Sequence, residues 1–150
     1  MSINEARVKA MNWCSKMERS KFDVQFKLYS WGLDQNQIKE VVEKLESDGF
    51  LSSGRYIEAY IKGKLYYKKW GKVKIKYNLK LKGFSDELID KYIDELIDED
   101  FYLEMITEQL KKKSLAIDDD DEYTRKSKLI RFGQSRGYET EISLMCVDKL

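Results

Sequence analysis

The sequence predicts an all-α protein of three tandem three-helix repeats that form an elongated, curved helical array. Three observations favour this fold class. The 150-residue chain has no proline and only 8 glycines, whereas sandwiches and barrels need many turn residues and proline breaks helix interiors. Apolar residues recur at helical spacing. One pattern of helix, glycine and helix occurs three times along the chain.

The repeat is anchored on Gly32, Gly83 and Gly137, which are 51 and 54 residues apart. Each glycine is expected to end a helix in the left-handed conformation. Apolar residues occupy equivalent places around them: Val24, Ile75 and Leu129; Leu33, Phe84 and Tyr138; Val42, Ile93 and Val147; Leu45, Leu96 and Leu150. Ser143 departs from the pattern, since its equivalents are isoleucines. The approximate repeat units are 1–50, 51–99 and 100–150.

The helix after each glycine has a recognisable start and an apolar face. Asp34 with Gln37 resembles a capping box, and Ser85 is at an N-cap position. In the first unit the face consists of Ile38, Val41, Val42 and Leu45. A further helix is expected upstream in each unit, at 4–16, at about 53–67, and around Phe101. The predicted faces of the last two are Tyr56, Ala59, Tyr60 and Gly63, and Phe101, Tyr102, Met105, Ile106 and Gln109.

The stretch "KWGKVKIKYNLKLKGF", from Lys69 to Phe84, alternates lysine with apolar residues and could pass for a strand. The repeat favours a helix instead. Ile75 and Leu79 align with Val24 and Leu28 of the first unit, and both pairs run into a glycine. We therefore predict a helix over 72–82 that starts at the Trp70-Gly71 turn.

Charge is unevenly distributed around this helix, although the net charge is only +1. Nine lysines and no acid lie between positions 59 and 85, whereas nine acids and one lysine lie between positions 86 and 104. A basic stripe beside aromatic residues suits contact with nucleic acid. An acidic protein surface is an equally good partner for such a stripe.

Several classes of function are disfavoured by the composition. The chain has no histidine, which removes Ser-His and Cys-His nucleophile pairs and HExxH zinc sites. The acidic run at 118–122 lacks the spacing of a calcium loop, and the acids at 86–104 suit a solvated helix face. We expect no catalytic activity, no metal and no cofactor. With no apolar span, no signal-type N-terminus and two distant cysteines that we expect to be buried and reduced, a cytoplasmic location is expected.

At this point the pattern resembles a known family, the RecX modulators of recombinase. The resemblance covers nearly the whole chain and is most specific in the second unit. Its motifs are an Arg-Ser before the second helix, an Arg-aromatic pair opening the fourth, and a basic-Gly-basic turn leading into Ile-xxx-Leu-xxx-Gly. Here these are Arg19-Ser20, Arg55-Tyr56, and Lys69, Gly71 and Lys72 followed by Ile75, Leu79 and Gly83. "SSG" at 52–54 replaces the acidic pair that usually precedes the Arg-aromatic motif.

The resemblance implies a non-enzymatic protein that binds the RecA filament on single-stranded DNA, in the filament's groove. It would restrain recombinase, ATPase and co-protease activities, and hence the SOS response. From charge and family together, the contact residues are expected to be Lys68, Lys69, Trp70, Lys72, Lys76, Lys80, Arg125, Lys126, Lys128 and Arg131. The alternative is a stand-alone nucleic-acid-binding helical repeat protein, and a generic protein adaptor comes third. No membrane contact is expected, and a monomer is the simplest state.

Overall fold

The computed structural model describes residues 1–150 and consists of nine α-helices without a β-strand. Their bounds are α1 Ile3–Lys16, α2 Lys21–Ser30, α3 Gln35–Ser47, α4 Ser53–Tyr66, α5 Lys72–Leu81, α6 Asp86–Leu96, α7 Glu99–Ala116, α8 Glu122–Arg136 and α9 Thr140–Val147. The predicted helical repeats, and the helix rather than strand after Trp70, are confirmed. The chain divides into two compact units, 1–59 and 60–150.

The first unit buries the faces that the helical spacing predicted. Ala6, Ala10 and Cys14 of α1 pack with Val24 and Leu28 of α2 and with the α3 residues Ile38, Val41, Val42 and Leu45. The capping box at the start of α3 is present: Gln37 N donates to Asp34 Oδ1 at 2.8 Å, and Asp34 N donates to Gln37 Oε1 at 3.0 Å. Reciprocal bonds of this kind satisfy amides that the helix leaves unpaired.

Two of the family motifs, Arg19-Ser20 and Arg55-Tyr56, have structural roles in the first compact unit. Ser20 is fully buried and caps α2, where its hydroxyl accepts a hydrogen bond from Asp23 N at 3.0 Å. The Arg19 guanidinium lies 4.0 Å from the Trp13 ring centroid. Arg55 donates to Glu18 Oε1 at 2.9 Å and to Gly49 O at 2.7 Å. These residues therefore close the turns between helices.

The prediction for the buried face of α4 is wrong. Tyr56, Tyr60 and Gly63 are only half-buried and Ala59 is exposed. The buried residues are instead Ile57, Ile61 and Leu65, at i, i+4 and i+8. Both rows are apolar and have helical spacing, so periodicity alone does not choose between them. Packing buries the branched aliphatic row and leaves the tyrosines, with their hydroxyl groups, nearer water.

The third repeat packs its last two helices through small side chains. Gly133 and Ser143 are both buried at places where the earlier repeats have Leu28 and Leu79, and Ile38 and Ile89. A Cβ on Gly133 would lie 2.5 Å from Ser143 Oγ. The small residue Ser143, where the other repeats have isoleucine, thus packs against a second small residue, Gly133, where the other repeats have leucine. Leu150 is 49% exposed, so it does not fill the core position that the repeat predicted for it.

Candidate binding surface around the start of α5

The turn that begins α5 is docked on the turn between α8 and α9, within the second compact unit. Gly71 N donates to Arg136 O at 2.8 Å, and Val73 N donates to Gly137 O at 3.0 Å. Tyr138 Oη donates to Lys69 O at 2.6 Å, and Arg136 donates to Lys68 O at 3.3 Å. The second and third repeats are therefore joined, backbone to backbone, at the basic-Gly-basic motif. We call this contact, between residues 68–73 and 136–138, the joint.

Two glycines allow this close approach. A Cβ on Gly71 would overlap the carbonyl of Gly137 and would lie 2.6 Å from Cδ1 of Tyr138. A Cβ on Gly137 would lie 2.6 Å from Lys74 N, and φ of Gly137 is +85°, in the left-handed region. Gly137 thus serves twice, as the predicted helix stop and as part of the joint.

Tyr102 of α7 also contacts both sides of the joint, through Lys72 and Glu139. Its ring is fully buried, and its hydroxyl accepts from Lys72 N at 2.9 Å and donates to the Glu139 carboxylate. Burial and the hydrogen bond to Glu139 raise the pKa of Tyr102 well above its usual range. Lys72 Nζ lies 4.6 Å from the ring centroid of Tyr102 and pairs with Glu99. Lys72 is therefore largely committed to internal contacts.

The predicted lysine ridge on α5 faces the acids of α6. Lys76 Nζ lies 2.8 Å from an Asp90 oxygen and 3.8 Å from an Asp86 oxygen, and Lys80 Nζ lies 3.2 Å from Asp86. The hydrogen bond that Lys76 donates to the Asp90 carboxylate raises the pKa of Lys76. The uneven distribution of charge along the sequence is thus partly compensated in the fold, because lysines of α5 pair with aspartates of α6. Such exposed ion pairs are weak and can exchange with an external partner.

The four predicted cations of the third repeat differ in their surroundings. The guanidinium of Arg125 donates to the carbonyls of Ser114, Ile117 and Asp119, and so closes the connection between α7 and α8. Two of the lysines form long ion pairs: Lys126 with Asp148 and Lys128 with Asp119, each at 3.6 Å. Arg131 is exposed and has no ion pair.

The acidic run at 118–122 contributes to helix capping. Asp121 Oδ2 accepts from Thr124 N at 3.0 Å at the start of α8, and Asp121 N donates to Asp119 Oδ1 at 2.9 Å. The hydrogen bonds from Thr124 lower the pKa of Asp121. The run therefore acts at a helix N-terminus, where negative charge is stabilising.

Sequence reasoning missed three cations that the fold brings to the same turn. Lys64 and Lys74 place their Nζ atoms 4.8 Å and 4.4 Å from the ring centroid of Trp70. Arg136 reaches the carbonyl of Lys68 from α8. Lys64 lies on α4, six positions before Trp70, and Arg136 lies on α8, 66 positions after Trp70. No spacing rule links such distant positions, although the lack of acids nearby was a signal for Lys64 and Lys74.

An all-α array of three-helix repeats, with basic and aromatic side chains around the joint of two repeats, places the chain in the class of helical repeat proteins. Comparison with known families gives the class a name. A profile described as the second three-helix domain of RecX matches residues 54–93, and one described as the third three-helix domain matches residues 99–145. The chain belongs to the RecX family of regulatory proteins. No helix has both the length and the apolar character needed to span a bilayer.

Similar proteins agree with this assignment. A regulatory protein RecX of Clostridium acetobutylicum is 32% identical over 136 residues, which is 89% of this chain and 63% of the relative. One of Acinetobacter baylyi is 30% identical over 150 residues, which is the whole chain and 91% of the relative. The chain spans a little less than two thirds of the clostridial relatives, at 63% and 65% of two of them.

The fold also matches a solved structure. The crystal structure of RecX from Lactobacillus salivarius superposes with a TM-score of 0.87 at 22% identity and covers 99% of this chain and 96% of that one. At this identity the likeness supports the fold. The fold class and family expected from the sequence are confirmed.

Proposed function

We propose that the chain is a non-enzymatic regulator that binds the RecA recombinase filament on single-stranded DNA and restrains its recombinase, ATPase and co-protease activities. The family assignment supports the regulatory role. The observation that supports filament contact is the joint of the second and third repeats. There a turn that is held by four hydrogen bonds presents Lys68, Lys69 and Trp70.

The predicted contact residues differ in whether they already form an ion pair within the chain. Lys68, Lys69 and Arg131 form no ion pair and are the first choice for contact with an acidic filament. Trp70 lies among the lysines at the turn. The ion-paired residues Lys72, Lys76, Lys80, Lys126 and Lys128 would reach a partner by exchanging an internal carboxylate for an external one. Arg125 would support the surface through the connection that it closes.

The function is tested by single-stranded-DNA-dependent ATP hydrolysis of the recombinase from the same organism, titrated with this protein. We expect inhibition well below one molecule per recombinase, because one regulator bound in the groove or at an end affects many filament subunits. The double variant Lys68→Glu/Lys69→Glu should weaken inhibition by about tenfold or more, since like charges placed against an acidic partner cost several kcal/mol.

A matched control is the double variant Lys111→Glu/Lys112→Glu, which makes the same change of charge outside the turn. Both lysines lie on α7 of the same compact unit and are exposed; Lys111 has no ion pair, and Lys112 has an exposed one with Glu108 at 3.7 Å. Equal weakening by the control would assign the effect to net charge alone. Absence of inhibition, combined with salt-sensitive binding to bare DNA, would refute the filament regulator and favour the stand-alone nucleic-acid-binding protein.

A further inference from the structure

The cations of the second compact unit fall into two groups, and only one group faces acids. Lys72, Lys76 and Lys80 of α5 all pair with carboxylates. Lys64 and Lys74 do not, and their ammonium groups lie 4.8 Å and 4.4 Å from the same Trp70 ring. A ring that attracts both ammonium groups through its quadrupole holds two like charges close together.

A second ring extends this arrangement along α8. The guanidinium of Arg136 lies 4.9 Å and Lys113 Nζ lies 5.6 Å from the ring centroid of Phe132. The segments that carry the two rings are joined by hydrogen bonds, since Lys74 Nζ donates to the backbone carbonyl of Ser135 at 3.2 Å and Arg136 donates to that of Lys68. We define the cation–aromatic cluster as Lys64, Lys68, Trp70, Lys74, Lys113, Phe132 and Arg136.

No member of the cluster forms an ion pair within the chain, although acids are plentiful on α6 and α7. Like charges that are held together without a counter-ion create a strong local positive potential. A polyanion that spans the cluster relieves this repulsion and releases its own counter-ions. The cluster is therefore an acceptor for a chain of negative charges rather than for one carboxylate.

We propose that the cation–aromatic cluster binds the phosphodiester backbone of single-stranded nucleic acid. The proposal deepens the proposed function, on which it rests for the relevance of single-stranded DNA, by assigning this part of the turn to phosphate rather than to protein. Cations interleaved with aromatic rings are the combination used for single strands. The surface is more cationic than the apolar, charge-depleted core that is typical of protein interfaces.

Phosphate contact must come from side chains, because the amides at the start of α5 are already used. Gly71 N and Val73 N donate to Arg136 O and Gly137 O, and Lys72 N donates to Tyr102 Oη. These three amides are thus unavailable to an anion, although a glycine at the start of a helix is a feature of phosphate-binding helices.

Base contact is assigned to a tyrosine rather than to the tryptophan. Trp70 is half-buried and engaged by two ammonium groups, so its role is to position cations. Tyr67 directly precedes Lys68 and is 86% exposed. An exposed ring beside phosphate-binding cations is placed for stacking on an unpaired base.

The test is binding of the full chain to fluorescently labelled oligo(dT), measured by anisotropy without recombinase between about 50 and 200 mM salt. Lys64→Gln and Lys74→Gln should each weaken binding by roughly threefold or more at low salt and reduce the salt slope by about 0.7 per lost phosphate contact. Tyr67→Ala should weaken binding by roughly fivefold or more and leave the salt slope unchanged.

The matched controls are Lys111→Gln and Lys112→Gln, on α7 of the same compact unit; Lys111 has no ion pair and Lys112 is paired with Glu108. They should stay within about twofold of the unsubstituted protein, because they make the same change of charge outside the cluster. Lys64→Gln removes no hydrogen bond of the joint, unlike a change at Arg136, so weaker binding by this variant would not come from a loosened joint. Losses in the controls equal to those in the cluster would overturn the inference.

The outcomes separate this inference from the proposed function. If the chain inhibits the recombinase but does not bind oligo(dT), the cluster is not a phosphate site and the inference is overturned, while the regulator stands. If cluster variants lose oligo(dT) affinity and the unsubstituted chain does not inhibit the recombinase, the inference is supported and the proposed function fails.

Discussion

Gly71 and Gly137 lie so close together that neither position has room for a side chain. A Cβ on Gly71 would overlap the Gly137 carbonyl, and a Cβ on Gly137 would lie 2.9 Å from Lys74 Cα. The amide of Val73 donates to Gly137 O across the same contact. Glycine stands in the basic-Gly-basic motif because the backbones of two repeats meet there.

Replacement of Gly71 by alanine should therefore loosen the joint. We expect Gly71→Ala to lower the free energy of unfolding by about 2 to 4 kcal/mol, from overpacking and from weakened hydrogen bonds across the contact. Hydrogen exchange at the Val73 amide should accelerate. Chemical unfolding and amide exchange measure the two effects.

Gly63→Ala is the control for that substitution. Gly63 lies inside α4, and a Cβ there would meet nothing within 4 Å. Because glycine disfavours a helix interior, this change should stabilise by about 0.5 to 1 kcal/mol. A destabilisation of the same size in both variants would show that the tight contact at Gly71 is not what matters.

The hydroxyl of Tyr102 should contribute to stability as an acceptor and a donor at once. Tyr102→Phe leaves Lys72 N and the Glu139 carboxylate without this partner, so we expect a loss of about 1 to 3 kcal/mol in unfolding free energy. Tyr123→Phe is the comparison, because Tyr123 is 80% exposed and should change stability by less than about 0.5 kcal/mol. Equal effects in denaturant titrations would contradict the hydrogen-bond role.

Tyrosine ionisation should make the second compact unit sensitive to alkali. Burial raises the pKa of Tyr138 from 10.0 to about 12. Above pH 10 the unfolded chain loses a proton that the folded chain keeps, so this stabilisation is complete below the unfolded pKa and is lost as the pH rises through the folded pKa.

Denaturant midpoints of the unsubstituted protein should therefore fall above pH 10. Tyr138→Phe should reduce that fall, because the group that titrates is removed, although it also loses the hydrogen bond to Lys69 O, worth about 1 kcal/mol at neutral pH. Tyr102 titrates in the same direction and accounts for part of the remaining slope. Identical pH slopes in the two proteins would exclude Tyr138 as a source.

The buried hydroxyl of Ser143 should be dispensable. Ser143 is 1% exposed, and its Oγ has no hydrogen-bond partner. We expect Ser143→Ala to raise the melting temperature slightly, corresponding to about 1 kcal/mol, since an unsatisfied buried polar group is costly. Ser143→Ile, which restores the residue of the other repeats, should destabilise because Gly133 brings α8 too close. A more stable isoleucine variant would refute the small-residue packing.

Local sequence patterns account for the helices and most of the core. The starts at Asp34 and Ser85 and the stops at Gly32 and Gly83 depend on local hydrogen bonds and backbone angles, which neighbouring residues fix. The buried face of α3 follows from its spacing. The family assignment follows from the order of such local motifs.

The buried side of α4 and the partners of the charged side chains are set by the packing of the folded helices. Ile61 rather than Tyr60 faces the core, because two apolar rows compete and packing selects one. Lys76 meets Asp90 from the next helix. Arg136 comes to Lys68 from 68 residues away. Such contacts depend on where the folded helices lie relative to one another. Composition and periodicity describe only the residues and their spacing along the chain, so they do not predict these contacts.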